Sequence, residues 1–166
     1  FTLITMMVPF QVLMIPLFVE IHKLGLLNTY WGLILPRATS AFGIYMMRSF
    51  FVSLPKDLEE AARIDGLNEF GVFFKIMLPL CRPALITLGI FHFMNNWNDL
   101  IYPLVLTSST KMRTLPAGLA TFIGERVIEY GPTLAATVIS ILPLLIAYIF
   151  AQRYFMQGIA MSGLKE

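Results

Sequence analysis

Two stretches of this chain carry no charged residue at all: Phe1 to Val19, 19 residues, and Pro132 to Gln152, 21 residues. About 20 mostly apolar residues suffice to cross a bilayer as a helix. Lipid offers the backbone no hydrogen bonds, so a lone open sheet is excluded there and a helix is required. Two further stretches are long enough but interrupted. Tyr30 to Val52 contains Arg37 and Arg48, and Pro83 to Leu106 contains a polar cluster that includes Asp99. The expectation is an all-α, polytopic transmembrane bundle with four visible spans. Composition agrees: 57% of residues are hydrophobic and 13% charged, where a soluble domain has roughly a quarter charged.

Several function classes fall away early. A net charge of +2 is too small for a nucleic-acid binder. The single cysteine, Cys81, makes an internal disulfide or a cysteine-rich metal site impossible within the chain. No Gly-x-x-x-x-Gly-Lys-Ser/Thr loop occurs, so ATP is not bound by that route. No cofactor, metal or catalytic residue is expected. The chain opens on Phe1 inside an apolar run, with no basic leader and no small-residue cleavage site. It reads as a piece whose start is missing.

The segment 54–80 contrasts with the apolar runs on either side. Five of the ten acidic residues lie between Asp57 and Glu69. Pro55 suits the first position of a helix, and Asp57, Glu59 and Glu60 then complement the dipole of its first turn. Leu58, Ala61 and Ala62 give it a small apolar face. Gly66 is a natural stop, and Asn68 can cap a second helix. In that second helix Phe70, Phe73, Phe74 and Met77 share a stripe at 3.6-residue spacing. Two short helices with a glycine corner are predicted. Such a hairpin can lie on lipid headgroups, but a lipid-facing helix gains more from large apolar residues and basic flanks. The small Glu60-Ala61-Ala62 face fits close approach to a protein.

Glu60-Ala61-Ala62, Gly66 four residues after Ala62, and Ile76-x-Leu78-Pro79 ten residues beyond Gly66 together resemble the signature cytoplasmic loop of permease subunits of bacterial ABC importers. Trp97-Asn98-Asp99-x-x-x-Pro103-Leu104, Gln152-Arg153-Tyr154-Phe155-x-x-Gly158 and the closing Gly163-Leu164-Lys165 are similar to the carbohydrate-uptake branch. The resemblance covers essentially the whole chain, 1–166, as a single permease domain. It implies six spans in the intact protein, two of them before residue 1. It implies a location in the bacterial inner membrane and three protein partners: a cytoplasmic ATP-binding-cassette ATPase dimer, a second permease subunit and an extracytoplasmic solute-binding protein. It also implies that Glu60, Ala61, Ala62 and Gly66, with Asp65 beside them, dock the loop on the ATPase.

Lysine and arginine near the span ends favour the same orientation by a small margin. Seven lie on the side of the 54–80 loop and five on the other, and the positive side is the cytoplasmic one. The outer segment 107–131 carries Lys111, Arg113, Glu125, Arg126 and Glu129, and is long for a simple turn. It forms a cap over the bundle, a meeting place for the solute-binding protein, or both.

At helical spacing, His92, Asn95, Asn98, Asp99 and Tyr102 share one face of the third visible span. Polar groups in a membrane helix usually face a bundle interior or a wet cavity. This face either lines a route for a hydroxyl-rich solute, with Asn95, Asn98, Asp99 and Tyr102 as contacts, or bonds helices together. Arg37 is expected to snorkel toward the outer interface, and Pro9, Pro16 and Pro143 to kink their helices. A proton-coupled carrier using His92 and Asp99 is the competing reading. It leaves the acidic hairpin without a purpose.

Overall fold

The computed structural model describes residues 2–124 and 130–162, with the side chains of residues 121–124, 151 and 153–162 left aside. Phe1, Glu125, Arg126, Glu129 and the closing Gly163-Leu164-Lys165 lie outside the described residues, as do the side chains of Arg153, Tyr154 and Phe155. Every regular element among the described residues is helical.

Proline decides where the helices stop. The first apolar run divides into α1 (Thr2–Met6) and α2 (Phe10–Lys23), with Pro9 holding an extended backbone between them. Proline disfavours helical geometry in the residue before it. Pro16 lies inside α2 without ending it. The second run divides into α3 (Tyr30–Ile34), a 3-10 turn at Leu35–Arg37 that contains Pro36, and α4 (Ala41–Ser53). Ser40 restarts the chain as the cap of α4, its hydroxyl accepting from the amide of Gly43 at 2.8 Å.

The hairpin follows as α5 (Lys56–Ile64), α6 (Glu69–Gly71), a π-helical turn at Val72–Met77, and α7 (Leu78–Leu80). The third apolar run is α8 (Arg82–Trp97) and α9 (Ile101–Leu106). Pro103 explains that break, because its ring crowds the carbonyl of Asp99 four residues back and it has no N–H to offer. The outer segment contains a 3-10 turn at Thr110–Met112 and α10 (Leu115–Gly124). The last helix, α11 (Tyr130–Ser162), runs through Pro143 without ending.

Only one unbroken helix among the described residues is long and apolar enough to cross a membrane, at Tyr130–Phe150. Glu69–Leu80 and Arg82–Trp97 satisfy the same test only as a pair, bent by 70°. The other stretches expected to span are divided into shorter helices. Side chains such as Leu134, Val138, Leu142, Leu145, Ile146 and Ile149 stand exposed along α11. A water-soluble surface rarely carries so continuous an apolar patch.

The pieces pack in two places. α2, α3 and α9 close on a cluster of Ile21, Tyr102 and Leu106, with Phe10, Leu17, Leu26 and Leu33 around it. The hairpin closes on Ala62, Val72 and Met77, with Phe51, Leu54 and Leu67 around them. Between these clusters α8 packs against both α4 and α11.

Candidate coupling loop and polar knot

The hairpin is locked by its own corner. Asp65 is the C-cap of α5 and Gly66 follows with φ +83°, a left-handed conformation that disfavours any residue with a Cβ. The amide of Gly66 donates to Arg63 at 3.0 Å and that of Leu67 to Ala62 at 3.0 Å. This pair of bonds is the Schellman closure, and the accompanying apolar contact is Leu67 against Ala62. Asn68 caps the next helix, its side chain accepting from the amide of Gly71 at 2.8 Å. Arg63 ties the arms together, with Nε donating to Glu69 at 2.8 Å and Nη2 reaching Glu59 at 3.4 Å. Its partners hold the guanidinium more firmly protonated, Glu69 first, and Arg63 in turn holds the Glu69 carboxyl below the usual range.

Two details depart from the sequence reading. Pro55 caps α5 from one position outside the first helical residue. The second arm does not show a 3.6-residue stripe. Its π turn stacks residues five apart, so Val72 and Met77 face inward while Phe70, Phe73 and Phe74 stay exposed. The turn comes just before Pro79, whose ring would crowd the carbonyl of Lys75 in a regular helix.

The five residues named for docking do not all lie on one exposed surface. Glu60, Ala61, Asp65 and Gly66 are exposed around the corner, and Ile64 beside them is 86% exposed. Ala62 turns the other way and is only 4% exposed, against Val72 and Met77. Its small size serves the approach of the hairpin's own arms.

The second site is a knot of polar side chains where the two broken runs face each other. Asp99 forms an ion pair with Arg37, 62 positions away in a chain whose helices both stop near them. Arg37 also donates to Oδ1 of Asn96 at 2.8 Å and stacks over the ring of Tyr102, 4.3 Å from its centroid. Tyr102 is 2% exposed, and its hydroxyl donates to the carbonyl of Gly32 at 2.9 Å. That carbonyl is the one Pro36, four residues on, cannot satisfy. One turn earlier on α8, Nε2 of His92 and the Ser40 hydroxyl lie 2.9 Å apart.

The side of α8 that meets the break therefore carries His92 and Asn96, with Asp99 just past the helix end, and not the continuous face through His92, Asn95, Asn98, Asp99 and Tyr102 expected from the sequence. The helix ends at Trp97, which breaks the assumed phase. Asn95, Asn96 and Asn98 are all exposed, and Tyr102 is buried against Ile21 and Leu106. Arg37 is engaged by a partner rather than snorkelling freely. His92 and Asp99, paired above as a relay, are held by different partners.

Sequence reasoning passed over Asn96, Ser40 and Asn28. Asn28 has φ +58°, which asparagine tolerates better than most residues. Its side-chain oxygen accepts from the amides of Ser108 and Ser109 at 3.1 and 3.0 Å, and its own amide donates to Leu106 at 2.9 Å. It fastens the corner between α2 and α3 to the start of the outer segment. The sequence signal was available in Leu27-Asn28-Thr29, an asparagine in a turn ahead of the Thr29 cap.

Residues 1–160 match the profile of the family described as binding-protein-dependent transport system inner membrane component. The chain belongs to that family. By that description its members are transport components of the inner membrane. Among the relatives is the arabinooligosaccharides transport system permease protein AraQ of Halalkalibacterium halodurans, 45% identical over 163 residues, 98% of this chain and 58% of that protein. The lactose transport system permease protein LacG of Rhizobium radiobacter is 37% identical over 156 residues, 94% of this chain and 57% of that protein. A crystal structure of a bacterial ABC transporter that imports the acidic polysaccharide alginate superposes with a TM-score of 0.76 at 33% identity, covering 86% of this chain and 56% of that one. The chain thus spans a little over half the length of each of these proteins.

Proposed function

We propose that this chain is part of a permease subunit of an ATP-driven importer for a sugar or sugar-like solute. Its solute arrives from an extracytoplasmic binding protein, its spans cross the inner membrane several times beside a second permease subunit, and its hairpin at 54–80 docks on a cytoplasmic ATPase dimer. Relatives named for arabinooligosaccharides and lactose support the solute class. The observation that carries the coupling role is the build of the hairpin. A Schellman closure, an asparagine cap, a two-armed ion pair and an apolar core braced by Phe51 of α4 make it stiff enough to transmit a displacement, while Glu60, Ala61, Asp65 and Gly66 stay available at its corner.

The hairpin continues at a 70° bend into α8. A push on the corner therefore reaches the helix that carries His92, Asn96 and the approach to Asp99. The test replaces Glu60 with Ala and Gly66 with Val in the intact permease. Reduced co-purification of the ATPase and reduced sugar uptake are expected. Normal assembly together with normal uptake in both variants would remove the docking role.

A further inference from the structure

We propose that the hollow beside Arg113, between the outer segment and α11, holds the phosphate of an anionic phospholipid. The side of the membrane, and only that, rests on the importer reading above: with the hairpin in the cytoplasm, this lipid belongs to the outer leaflet.

Arg113 is a cation without a match. Among the other described arginines, Arg48 and Arg82 stand exposed, Arg63 faces Glu59 and Glu69, and Arg37 faces Asp99. Arg113 is half-buried, and no carboxylate pairs with it among the described residues. Its Nε is enclosed without a hydrogen-bond partner. The two terminal nitrogens also lack a partner among the described residues, but they are not enclosed. The guanidinium fork matches the oxygens of a carboxylate or a phosphate, and taking it out of water without a counter-ion costs free energy. A held stem with an unpaired, reachable fork asks for an anion from outside these helices.

The hollow says which kind of anion. It has a volume of about 290 Å³, and Arg113 shares its border with Thr110, Leu115, Gly118, Leu119 and Ala136. Thr110 is exposed and brings a second donor, a hydroxyl unpartnered among the described residues. Leu115, Gly118, Leu119 and Ala136 add an apolar wall. The wall reaches into the membrane: Ala136 lies inside the stretch of α11 that can cross it, Tyr130–Phe150, about 9 Å below the Tyr130 end at 1.5 Å per residue. A soluble anion or a docked soluble protein has no use for apolar surface at that depth. A phospholipid does, because its phosphate is followed by glycerol esters and methylenes. Ile139, on the same face of α11 one turn further in, is 56% exposed, so an acyl chain leaving the hollow meets apolar protein.

The test uses the full-length permease assembled with its partner subunits and purified in detergent. Phosphatidylglycerol is titrated in, or phosphatidylcholine, whose phosphate is balanced by its own ammonium. Native mass spectrometry counts the lipid that stays bound. A preference of the wild type for phosphatidylglycerol is expected. Arg113→Gln should weaken that binding about tenfold or more, the scale of a hydrogen bond to a charged group. Gly118→Leu tests the hollow with the cation left in place. A Cβ there meets nothing within 4 Å, and leucine favours a helix more than glycine does, so this variant should fold while its side chain fills the space. It too should weaken the binding several-fold. Millimolar inorganic phosphate should leave the lipid bound. No preference in the wild type, or a preference undiminished in either variant, overturns the lipid site. So does displacement of the lipid by inorganic phosphate, which would make the hollow a site for a soluble anion. Counting lipids needs no transport, so the importer reading fails by a separate result: no ATP-dependent uptake of any sugar by the wild-type assembly.

Discussion

The hairpin at 54–80 and the knot around Arg37 are both polar structures set into an apolar chain, yet they are assembled in opposite ways. Every bond that shapes the hairpin joins residues within about one helical turn or across its own corner, the longest being Arg63 to Glu69. The knot draws on partners far apart in sequence: Ser40 with His92, Arg37 with Asn96 and Asp99, Gly32 with Tyr102. A locally determined element keeps its shape when its surroundings move, which suits a lever. An element built from distant helices changes whenever those helices move, which suits a place where a route opens and closes.

The sharpest way to break this comparison is to remove one half of the ion pair. Arg37 and Asp99 are 28% and 15% exposed at their side chains, so the surviving charge is poorly hydrated. Arg37→Leu or Asp99→Leu should each destabilise the intact permease by on the order of 3 kcal/mol, and the double variant should recover most of that loss. Thermal unfolding of the purified permease in detergent measures it. Losses that simply add would mean the pair does not hold the two breaks together.

Next comes Ala62. Leucine there must enter the space between α5 and the π turn, where Val72 and Met77 already touch the methyl group. Overpacking of this kind costs about 1–3 kcal/mol. Because the hairpin's hydrogen bonds and ion pairs are its own, the damage should stay within it and the end of α4 that Phe51 supplies. Hydrogen exchange should speed up in 54–80 and remain unchanged around Arg37. Exchange that rises equally in both regions would show that they are one cooperative unit.

How much of each region could be read in advance follows from the same contrast. The Gly66 corner and the Asn68 cap were legible, because each depends on residue types at fixed short offsets. The inward turn of Ala62 was not, since it depends on a π turn that shifts the register by one residue against the assumed period. The knot was half legible. Asp99 announced itself as a charge in an apolar run, but its partner lies in another run and no spacing rule connects them. Pro36 and Pro103 held the missing information. Each removes the donor for a carbonyl four residues back, at Gly32 and Asp99, and so marks where the continuous helical face had to fail.

That role for proline gives a smaller and more specific effect. Tyr102→Phe leaves the Gly32 carbonyl buried without its hydroxyl partner, at a cost of about 1–2 kcal/mol. Pro36→Ala returns an N–H to the position from which a helix would satisfy that same carbonyl. In the Pro36→Ala background the Tyr102→Phe penalty should therefore shrink. An undiminished penalty in the double-mutant cycle would show that the hydroxyl matters for some other reason.

The smallest effect belongs to the surface of the hairpin. Glu69 has its carboxyl held below the usual range by Arg63, first through their hydrogen bond and then through charge. A carboxylate whose folded value lies below its unfolded one stabilises the fold above the unfolded range and stops doing so as pH falls through the folded one. Closing of the hairpin should thus weaken on acidification below the usual glutamate range, and Glu69→Gln should remove that part of the pH dependence. Both partners are solvent-exposed, so salt should mask the effect. The knot lacks that exposure, and salt should leave the Arg37–Asp99 coupling largely intact. If added salt weakened both pairs alike, the distinction between an open, locally bonded hairpin and an enclosed, shared junction would not hold.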